Sequence, residues 1–227
     1  MTVMSMMSTS YCLAGESFHI GHSTRLVIHS DDKRVSFPVK NGTTKPLVFH
    51  GQVLDQSKKK FSPYFVVTPE IKHINQGEEQ WIQIVNLGAE LPKDRETLFY
   101  LQGHFIPSVR PVEKITAGLN FSYEIHMKLF YRPKDLKAEE DAIDEHANKL
   151  NFFVEDGRLI AKNESPYYMT INTLSSEEKS IDVPDNNCVI EPFGKLYFDL
   201  NNFKPNTITW TLVNDGGYST EPITRKL

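Results

Sequence analysis

The longest regular pattern in the chain is a strict alternation of apolar and polar residues between Ile115 and Ile125. Successive side chains of a β-strand point to opposite faces, so the pattern predicts one strand with an apolar face and a polar face. At about 3.3 Å per residue the segment would span roughly 36 Å, well beyond the usual ~17–20 Å of a strand. The apolar face would carry Ile115, Ala117, Leu119, Phe121, Tyr123 and Ile125.

Two interpretations of this apolar row are open. It can belong to an ordinary half-buried strand whose alternation happens to be long. Alternatively, the row is partly surplus to its own domain and is available to another chain. The alternation alone is compatible with both.

Shorter alternating segments precede the row and are separated by turn signals. Asn41-Gly42 and Asn75-Gln76-Gly77 are typical turn sequences, and Lys58-Lys59-Lys60 is typical of a solvated hairpin tip. Short alternating strands with regular turns predict a β-sandwich. The expected strands are Thr24–His29, Val35–Val39, Leu47–Leu54, Tyr64–Thr68, Trp81–Val85 and Leu98–Ile106.

The composition changes after Pro133. Leu136–Leu150 contains helix-forming residues with an acidic first turn, which predicts a short helix or helical connector. Strands then resume, with Asp156-Gly157 turning the first pair, and they predict a second sandwich. These strands are Asn151–Val154, Arg158–Lys162, Tyr167–Thr173, Val189–Phe193, Lys195–Leu200 and Thr207–Val213.

The length and charge of the chain limit its function. Its 227 residues fit one large or two modest domains. The net charge of −4 is unevenly shared: residues 15–135 carry 16 Lys and Arg against 13 Asp and Glu, whereas residues 136–227 carry 9 against 16. The positive balance of the first part is too weak to indicate a nucleic-acid partner, which requires a dense basic face, but it would suit a carboxylate-bearing peptide. No apolar run is long enough to span a membrane.

The first residues, Met1–Ala14, are rich in Met, Ser and Thr and end in small residues. They are interpreted as the remnant of a signal peptide cleaved before Gly15, the alternative being a native extension. Cleavage would remove Cys12 and leave Cys188 as a single cysteine, so no disulfide is predicted.

Catalytic signatures are missing from the sequence. It contains no G-x-S-x-G, no Walker loop and no cysteine with a convincing activating neighbour. His19 and His22 form the one close histidine pair, which is a weak basis for a metal site. An enzyme is therefore the least favoured class, and neither a metal nor a cofactor is predicted.

Two cations lie in otherwise apolar stretches. Arg25 precedes Leu26-Val27-Ile28, and Lys128 stands between Met127 and Leu129. A cation buried there without a partner is costly, unless both side chains point outward and extend to water.

Six residues at the end of the alternating segment, Lys128-Leu129-Phe130-Tyr131-Arg132-Pro133, resemble the K-L-F-Y-R-P signature of the periplasmic pilus chaperones of the PapD-like family. Similarity extends over nearly the whole chain from about residue 20. The matching segments are Thr24–Ile28, Phe65–Pro69, Leu91–Tyr100, Ile106-Pro107 and Lys162–Thr170, the last resembling the N-x-(T/S)-P-Y-Y motif of the second domain.

This resemblance implies an all-β fold of two immunoglobulin-like sandwiches arranged in an L. The first domain would comprise residues 15–134 and contain a donor strand at 115–132, and the second would comprise residues 135–227. The long-loop branch of the family carries a cysteine pair beside the donor strand. Gln102 and His126 occupy the equivalent positions here, so the chain resembles the short-loop branch.

Site residues are also implied by the resemblance. The apolar row Ile115 to Ile125 would fill the groove of an incomplete pilin, in donor-strand complementation. Arg25 and Lys128 would hold the C-terminal carboxylate of that subunit in the cleft between the domains. Glu96, Arg132 and Asp215 would form an interdomain ion cluster.

The implied function is a periplasmic chaperone that folds and caps pilus subunits, including a tip adhesin, and delivers them to an outer-membrane usher. Self-association of the free chaperone would mask its apolar row. Two other classes are kept: a structural subunit or adhesin built of two sandwiches, and a receptor-like module that binds through its loops. Residues 1–23 lack the long alternation expected of a pilin donor segment.

Overall fold

The computed structural model describes residues 18–21, 23–88, 90–108, 121–136, 142–177, 179–183, 188–200 and 203–227. Over these ranges the protein is almost entirely β. The strands of the first half are β1 (Phe18–Ile20), β2 (Arg25–His29), β3 (Arg34–Asn41), β4 (Leu47–Leu54), β5 (Phe65–Thr68), β6 (Ile71–Ile74), β7 (Glu79–Asn86), β8 (Thr97–Pro107) and β9 (Tyr123–Arg132).

The second half begins with helix α1 (Ala142–His146) and one 3-10 turn (Ala147–Lys149). The remaining strands are β10 (Leu150–Glu155), β11 (Arg158–Asn163), β12 (Met169–Ser176), β13 (Lys179–Ser180), β14 (Val189–Ile190), β15 (Lys195–Asp199), β16 (Thr207–Leu212) and β17 (Ile223–Lys226). The described part of the predicted connector Leu136–Leu150 therefore contains this short helix followed by the 3-10 turn, while residues 137–141 lie outside the described part.

Two sheets form the first sandwich. One has the strand order β1-β3-β7-β5 and the other β2-β9-β8-β4-β6. The chain changes sheet between β1, which pairs antiparallel with β3, and β2, which pairs parallel with β9. Aromatic and aliphatic side chains of both sheets, such as Phe49, Ile82, Phe105 and Leu129, form one buried core between them.

A second sandwich follows, with a separate core. Its sheets have the orders β10-β11-β15 and β13-β12-β16-β17, and β14 pairs with the start of β12. Trp210 lies at the centre of this core and is fully buried. The predicted fold class of two β-sandwich domains is confirmed.

Turn geometry explains where the predicted strands end. Asp156 and Gly157 have φ values of 51° and 75°, as a two-residue hairpin turn of type I′ requires. Asn41-Gly42 does not turn a hairpin, because β3 pairs with β1 and β7 and not with β4. The Asn41 side chain instead donates to the carbonyls of Lys45 and Ile74 and closes a longer loop. The strand predicted over Val189–Phe193 is also too long: Phe193 has φ 60°, and β14 ends at Ile190.

Candidate functional site

The first residues of strand β9 lie at the edge of their sheet, whereas its last residues lie between β8 and β2 inside the sheet. Its residues Tyr123–Tyr131 pair with β8, and Lys128–Arg132 pair on the other side with β2. No other described strand pairs with β9 over residues 123–127. The backbone of this stretch is thus an exposed sheet edge, to which a strand of another chain can add.

The apolar face of β9 leaves the core gradually towards this edge. Leu129 is fully buried and Met127 is 8% exposed, whereas Ile125 is half-buried and only packs against the margin of the core. Tyr123 is then 46% exposed and Phe121 61% exposed. The row therefore contains apolar surface that its own domain does not cover.

Three predicted members of the row, Ile115, Ala117 and Leu119, lie outside the described residues. Their role stays a prediction. Of the described members, Tyr123 and Ile125 share one face of β9, since they pair with Phe105 and Gly103 on β8, and Phe121 lies two residues before the strand.

Arg25 and Lys128 are direct neighbours across the parallel β2–β9 pair. Arg25 is 3% exposed, and its guanidinium lies 5.3 Å from the centre of the Phe130 ring. Its Nε has no hydrogen-bond partner within the described part of the chain. Lys128 is half-buried. Among the described residues neither cation forms an ion pair with a carboxylate. The structure thus places two cations side by side without a described carboxylate partner.

Burial dominates the electrostatics of this site. It lowers the pKa of Arg25 below its usual value, although the charges of Asp215 and Glu96 work in the opposite direction. Burial also lowers the pKa of Lys128, and the positive charge of Arg25 adds to this effect. An anion placed between the two cations would relieve both unfavourable interactions.

Arg132 holds the ion cluster that connects the two sandwiches. Its Nη2 lies 2.7 Å from Glu96 Oε1, and its Nη1 lies 2.8 Å from Asp215 Oδ2. Burial works against the charge of Arg132, but Glu96 and Asp215 outweigh it and raise the pKa of the guanidinium. The structure thus brings together the three residues that the sequence grouped, including Asp215, 83 positions away from Arg132.

The Ser165-Pro166-Tyr167-Tyr168 segment docks onto this cluster, a contact that no sequence pattern predicted. The Tyr168 backbone N–H donates to Glu96 Oε2 at 2.8 Å, and the Glu96 N–H donates to the Pro166 carbonyl. The Arg132 guanidinium lies 5.1 Å from the centre of the Tyr167 ring. Glu96 is therefore fixed from both domains, and the aromatic pair of the second-domain motif is the signal that could have pointed to this role.

The exposed hairpin tip after β4 also reaches the second domain. Gln56 donates to Glu191 and accepts from the Tyr168 hydroxyl. Lys58, predicted as part of a solvated tip, is exposed and places its Nζ 4.2 Å from the centre of the Tyr100 ring. Tyr100 is the cross-strand neighbour of Lys128, so the hairpin borders the cation site.

A loop of the second domain approaches the segment before Arg25 very closely. Gly217 has φ 83°, and a Cβ at this position would lie 3.0 Å from both Ser23 Oγ and the Thr24 nitrogen. Ser23 Oγ also donates to the Asp215 carbonyl. Only glycine satisfies both the backbone conformation and the close approach.

Gly217→Ala is therefore expected to destabilise the protein and loosen its domain contact. Gly77→Ala is the matched control, because Gly77 has φ 72° and an added Cβ there would meet no atom within 4 Å. The control should lose about 1–2 kcal/mol from backbone strain alone. Gly217→Ala should lose more in urea unfolding and also broaden the X-ray scattering profile. Equal losses with unchanged scattering would contradict a role for this contact.

The described residues contain no cluster of three or more potential metal ligands. No described helix is long and apolar enough to cross a membrane. Gln102 and His126 face each other across β8 and β9.

Comparison with known proteins agrees with this architecture. Residues 19–137 match the family model described as pili and flagellar-assembly chaperone, PapD N-terminal domain, and residues 145–224 match that of the pili assembly chaperone PapD, C-terminal domain. The chaperone protein FanE of Escherichia coli is 31% identical over 206 residues, covering 88% of this chain and 86% of its own. The chaperone protein Caf1M of Yersinia pestis is 29% identical over 216 residues, covering 87% and 81%.

Solved structures extend the similarity to both domains. The E. coli chaperone DraB is 27% identical and matches with a TM-score of 0.80 over 93% of this chain and 99% of its own. A chain in the complex of the Salmonella enterica SafA pilin with the SafB chaperone is 23% identical and shares the fold, with a TM-score of 0.82 over 95% and 99%. With both domain models matched in order and the same two-sandwich architecture, the chain belongs to the PapD-like family of pilus assembly chaperones.

Proposed function

We propose that the protein binds pilus subunits in the periplasm, caps them by donor-strand complementation, and delivers them to an outer-membrane usher. A subunit that lacks one strand would receive β9 and the residues before it as a replacement. Its own edge strand would pair with the free edge at residues 123–127. The row from Phe121 to Ile125, which is exposed at Phe121 and Tyr123, would fill its groove together with the predicted Ile115, Ala117 and Leu119.

The observation that carries this proposal is the direct pairing of two cations, Arg25 and Lys128, neither of which has a described carboxylate partner. Arg25 is almost fully buried, which is unfavourable for an isolated charge, and Lys128 lies directly beside it. A terminal carboxylate matches the pair, because the planar guanidinium can bind both oxygens and the ammonium supplies a third contact. We infer that the C-terminus of the subunit occupies this site.

Anchoring at this position would also set the register of the added strand. Lys128 belongs to the same strand as Tyr123, so a carboxylate held there fixes how far the subunit strand extends along the free edge. A slip of one residue would turn every side chain of the added strand to the wrong face. Carboxylate binding by Arg25 and Lys128 would therefore restrict the apolar contacts, which have no preferred direction of their own, to one defined strand pairing.

Other classes receive less support. The matched family is one of chaperones rather than enzymes, structural subunits or lectin-like receptors. The relatives named above are chaperones, and SafB is one in complex with a pilin. The two-sandwich subunit or adhesin is therefore not favoured.

Several finer points are part of the proposal. A periplasmic location follows from the proposed subunit and usher interactions, and self-association would cover the exposed row of the free protein.

The family model of the first domain ends at residue 137 and that of the second begins at residue 145, which supports a domain boundary near the predicted positions 134 and 135. The signal remnant at residues 1–14 lies outside the described residues and stays a prediction.

Loss of the exposed row should abolish subunit capture without unfolding the chaperone. The double variant Phe121→Glu, Tyr123→Glu replaces two side chains by charges. Burial of each original side chain in a subunit would contribute roughly 1.5–3 kcal/mol to binding. Affinity for a co-expressed pilin should fall well over tenfold in co-purification followed by mass spectrometry. Val154→Glu is the matched control, since Val154 is also 46% exposed but lies in the second domain. If the double variant melts far below the wild type, the row belongs to the core and the proposal fails.

A further inference from the structure

The hairpin tip of residues 55–60, which follows β4, is held by its own hydrogen bonds and by the second domain. The Asp55 N–H donates to the Lys60 carbonyl, and the Lys58 N–H donates to the Asp55 carbonyl, both at 2.9 Å. At the same tip Gln56 Nε2 donates to Glu191 Oε1 of the second domain at 2.5 Å. The tip is therefore fixed from both domains at the border of the cation site.

Lys58 has an unusual backbone conformation within this tip. Its φ of 59° lies in the left-handed region, which favours glycine over residues that carry a Cβ. Its exposed side chain extends over Tyr100, with Nζ 4.2 Å from the centre of that ring. The strained backbone alone would indicate nothing. A lysine that occupies a position suited to glycine, and that covers the neighbour of Lys128, indicates a use for its charge.

Tyr100 connects Lys58 to the two cations of the site. It pairs with Lys128 across β8 and β9, and Lys128 pairs with Arg25 across β9 and β2. Residues that face each other across neighbouring strands point to the same side of the sheet, about 4.5–5.5 Å apart at Cβ in an antiparallel pair. Arg25, Lys128 and the Tyr100 ring thus form one row on one face of the sheet, and the ammonium of Lys58 lies over the ring that ends this row.

The row carries more positive charge than one terminal carboxylate can match. Among the described residues, no carboxylate forms an ion pair with Arg25, Lys128 or Lys58. Asp55, the acidic residue of the tip, instead accepts from the Ser57 hydroxyl at 2.6 Å. Burial lowers the pKa of Lys128 most, and the charges of Arg25 and Lys58 add to this effect. A carboxylate between Arg25 and Lys128 would leave the charge of Lys58 unmatched.

We propose that Lys58 is a third subunit-binding residue and that it selects subunits with an acidic side chain close to their C-terminus. This inference rests on the proposed function and adds a sequence requirement to it. A subunit strand at the free edge of β9 would lie about 9–10 Å from β8, which is two strand spacings. A long acidic side chain on the face shared with Lys128 would extend across β9 and meet the ammonium of Lys58 over Tyr100.

The test uses short synthetic peptides with a free C-terminal carboxylate and alternating Val and Thr. Glu or Gln is placed at successive positions before the C-terminus, and the affinity of each peptide for the full-length protein is measured by isothermal titration. The wild type should prefer Glu over Gln about fivefold, the upper range for a partly exposed ion pair. Because strand side chains alternate between two faces, the preference should occur at every second position only.

Three variants locate the source of this preference. It should vanish in Lys58→Met and in Lys58→Gly, and it should persist in Lys59→Met, the matched control, because Lys59 is an exposed lysine of the same tip. Glycine suits the left-handed backbone of position 58, so a loss in Lys58→Gly cannot come from a distorted tip. Thermal unfolding of all three variants should match that of the wild type.

The possible outcomes separate this inference from the proposed function. Equal affinities of Glu and Gln peptides for the wild type, or a preference that persists without Lys58, would overturn the inference. An equal loss of both peptides in Lys58→Met would also overturn it, since Lys58 would then act on the terminal carboxylate alone. Amidated peptides test the proposed function: they should bind weakly whichever residue they carry. If amidation has no effect, carboxylate binding by Arg25 and Lys128 fails, whereas the comparison of Glu with Gln still decides the role of Lys58.

Discussion

Arg25→Met and Lys128→Met are each expected to abolish subunit capture while leaving the unfolding temperature of the chaperone unchanged or slightly higher. Truncating one member of a buried charged contact costs about 2–5 kcal/mol, or roughly 30- to 5,000-fold in affinity. The free chaperone has no such contact to lose, because neither cation is ion-paired with a described carboxylate. Burial lowers the pKa of both groups, so an apolar side chain of similar length removes an unfavourable charge.

Controls for this prediction come from the same domain. Arg34→Met and Lys40→Met alter exposed cations of β3, away from the β2–β9 pair, and should leave capture intact. The double variant Arg25→Met, Lys128→Met should lose far less than the sum of the single losses, because both residues would bind one group. Isothermal titration and thermal unfolding of the same preparations measure both quantities.

The ligand provides an independent arm. A pilin with an amidated C-terminus lacks the carboxylate but keeps every apolar contact, so it should bind the wild type as weakly as the normal pilin binds either variant. Full-strength binding of the amidated pilin would refute carboxylate binding by Arg25 and Lys128. It would leave the apolar row as the sole basis of recognition.

The sequence predicted the parts of this site that depend on local pattern. Alternation along one strand identifies the apolar row, since a strand places every second side chain on one face. A cation in an apolar stretch identifies Arg25 and Lys128, because burial of a lone charge is costly. The structure then makes them direct cross-strand neighbours, which no pattern in either segment specifies.

Contacts between distant segments could not be predicted in this way. Gly217 is constrained by Ser23 and Thr24, almost two hundred positions earlier, and nothing beside it in the sequence signals this contact. Very short strands such as β1 and β6 were missed because three or four residues carry too little periodicity.

Removal of Arg132 should cause the largest loss of stability in the protein. Glu96 is 2% exposed, and Arg132 is the cation that its carboxylate contacts. Breaking a buried pair from one side leaves an uncompensated charge at a cost of about 3–5 kcal/mol. Arg132→Met should therefore lower the free energy of unfolding in urea by this amount and broaden the scattering profile. Asp215→Asn should cost less, because Asp215 is 14% exposed and the Arg132–Glu96 pair remains.

The loss should also depend on pH, in a direction set by Glu96. Burial raises the pKa of Glu96 above its ordinary 4.5, and Arg132 opposes that rise. Without Arg132 the folded state binds the Glu96 proton more tightly than the unfolded state does, so stability falls as the pH increases above the ordinary value. The difference in unfolding free energy between the wild type and Arg132→Met should thus be smaller at pH 5 than at pH 7. In the double variant Glu96→Gln, Arg132→Met no buried carboxylate remains, and this pH dependence should vanish together with much of the loss. A deficit that is the same at both pH values, and that Glu96→Gln does not reduce, would place the cost in lost packing around Tyr167 rather than in the ion pair.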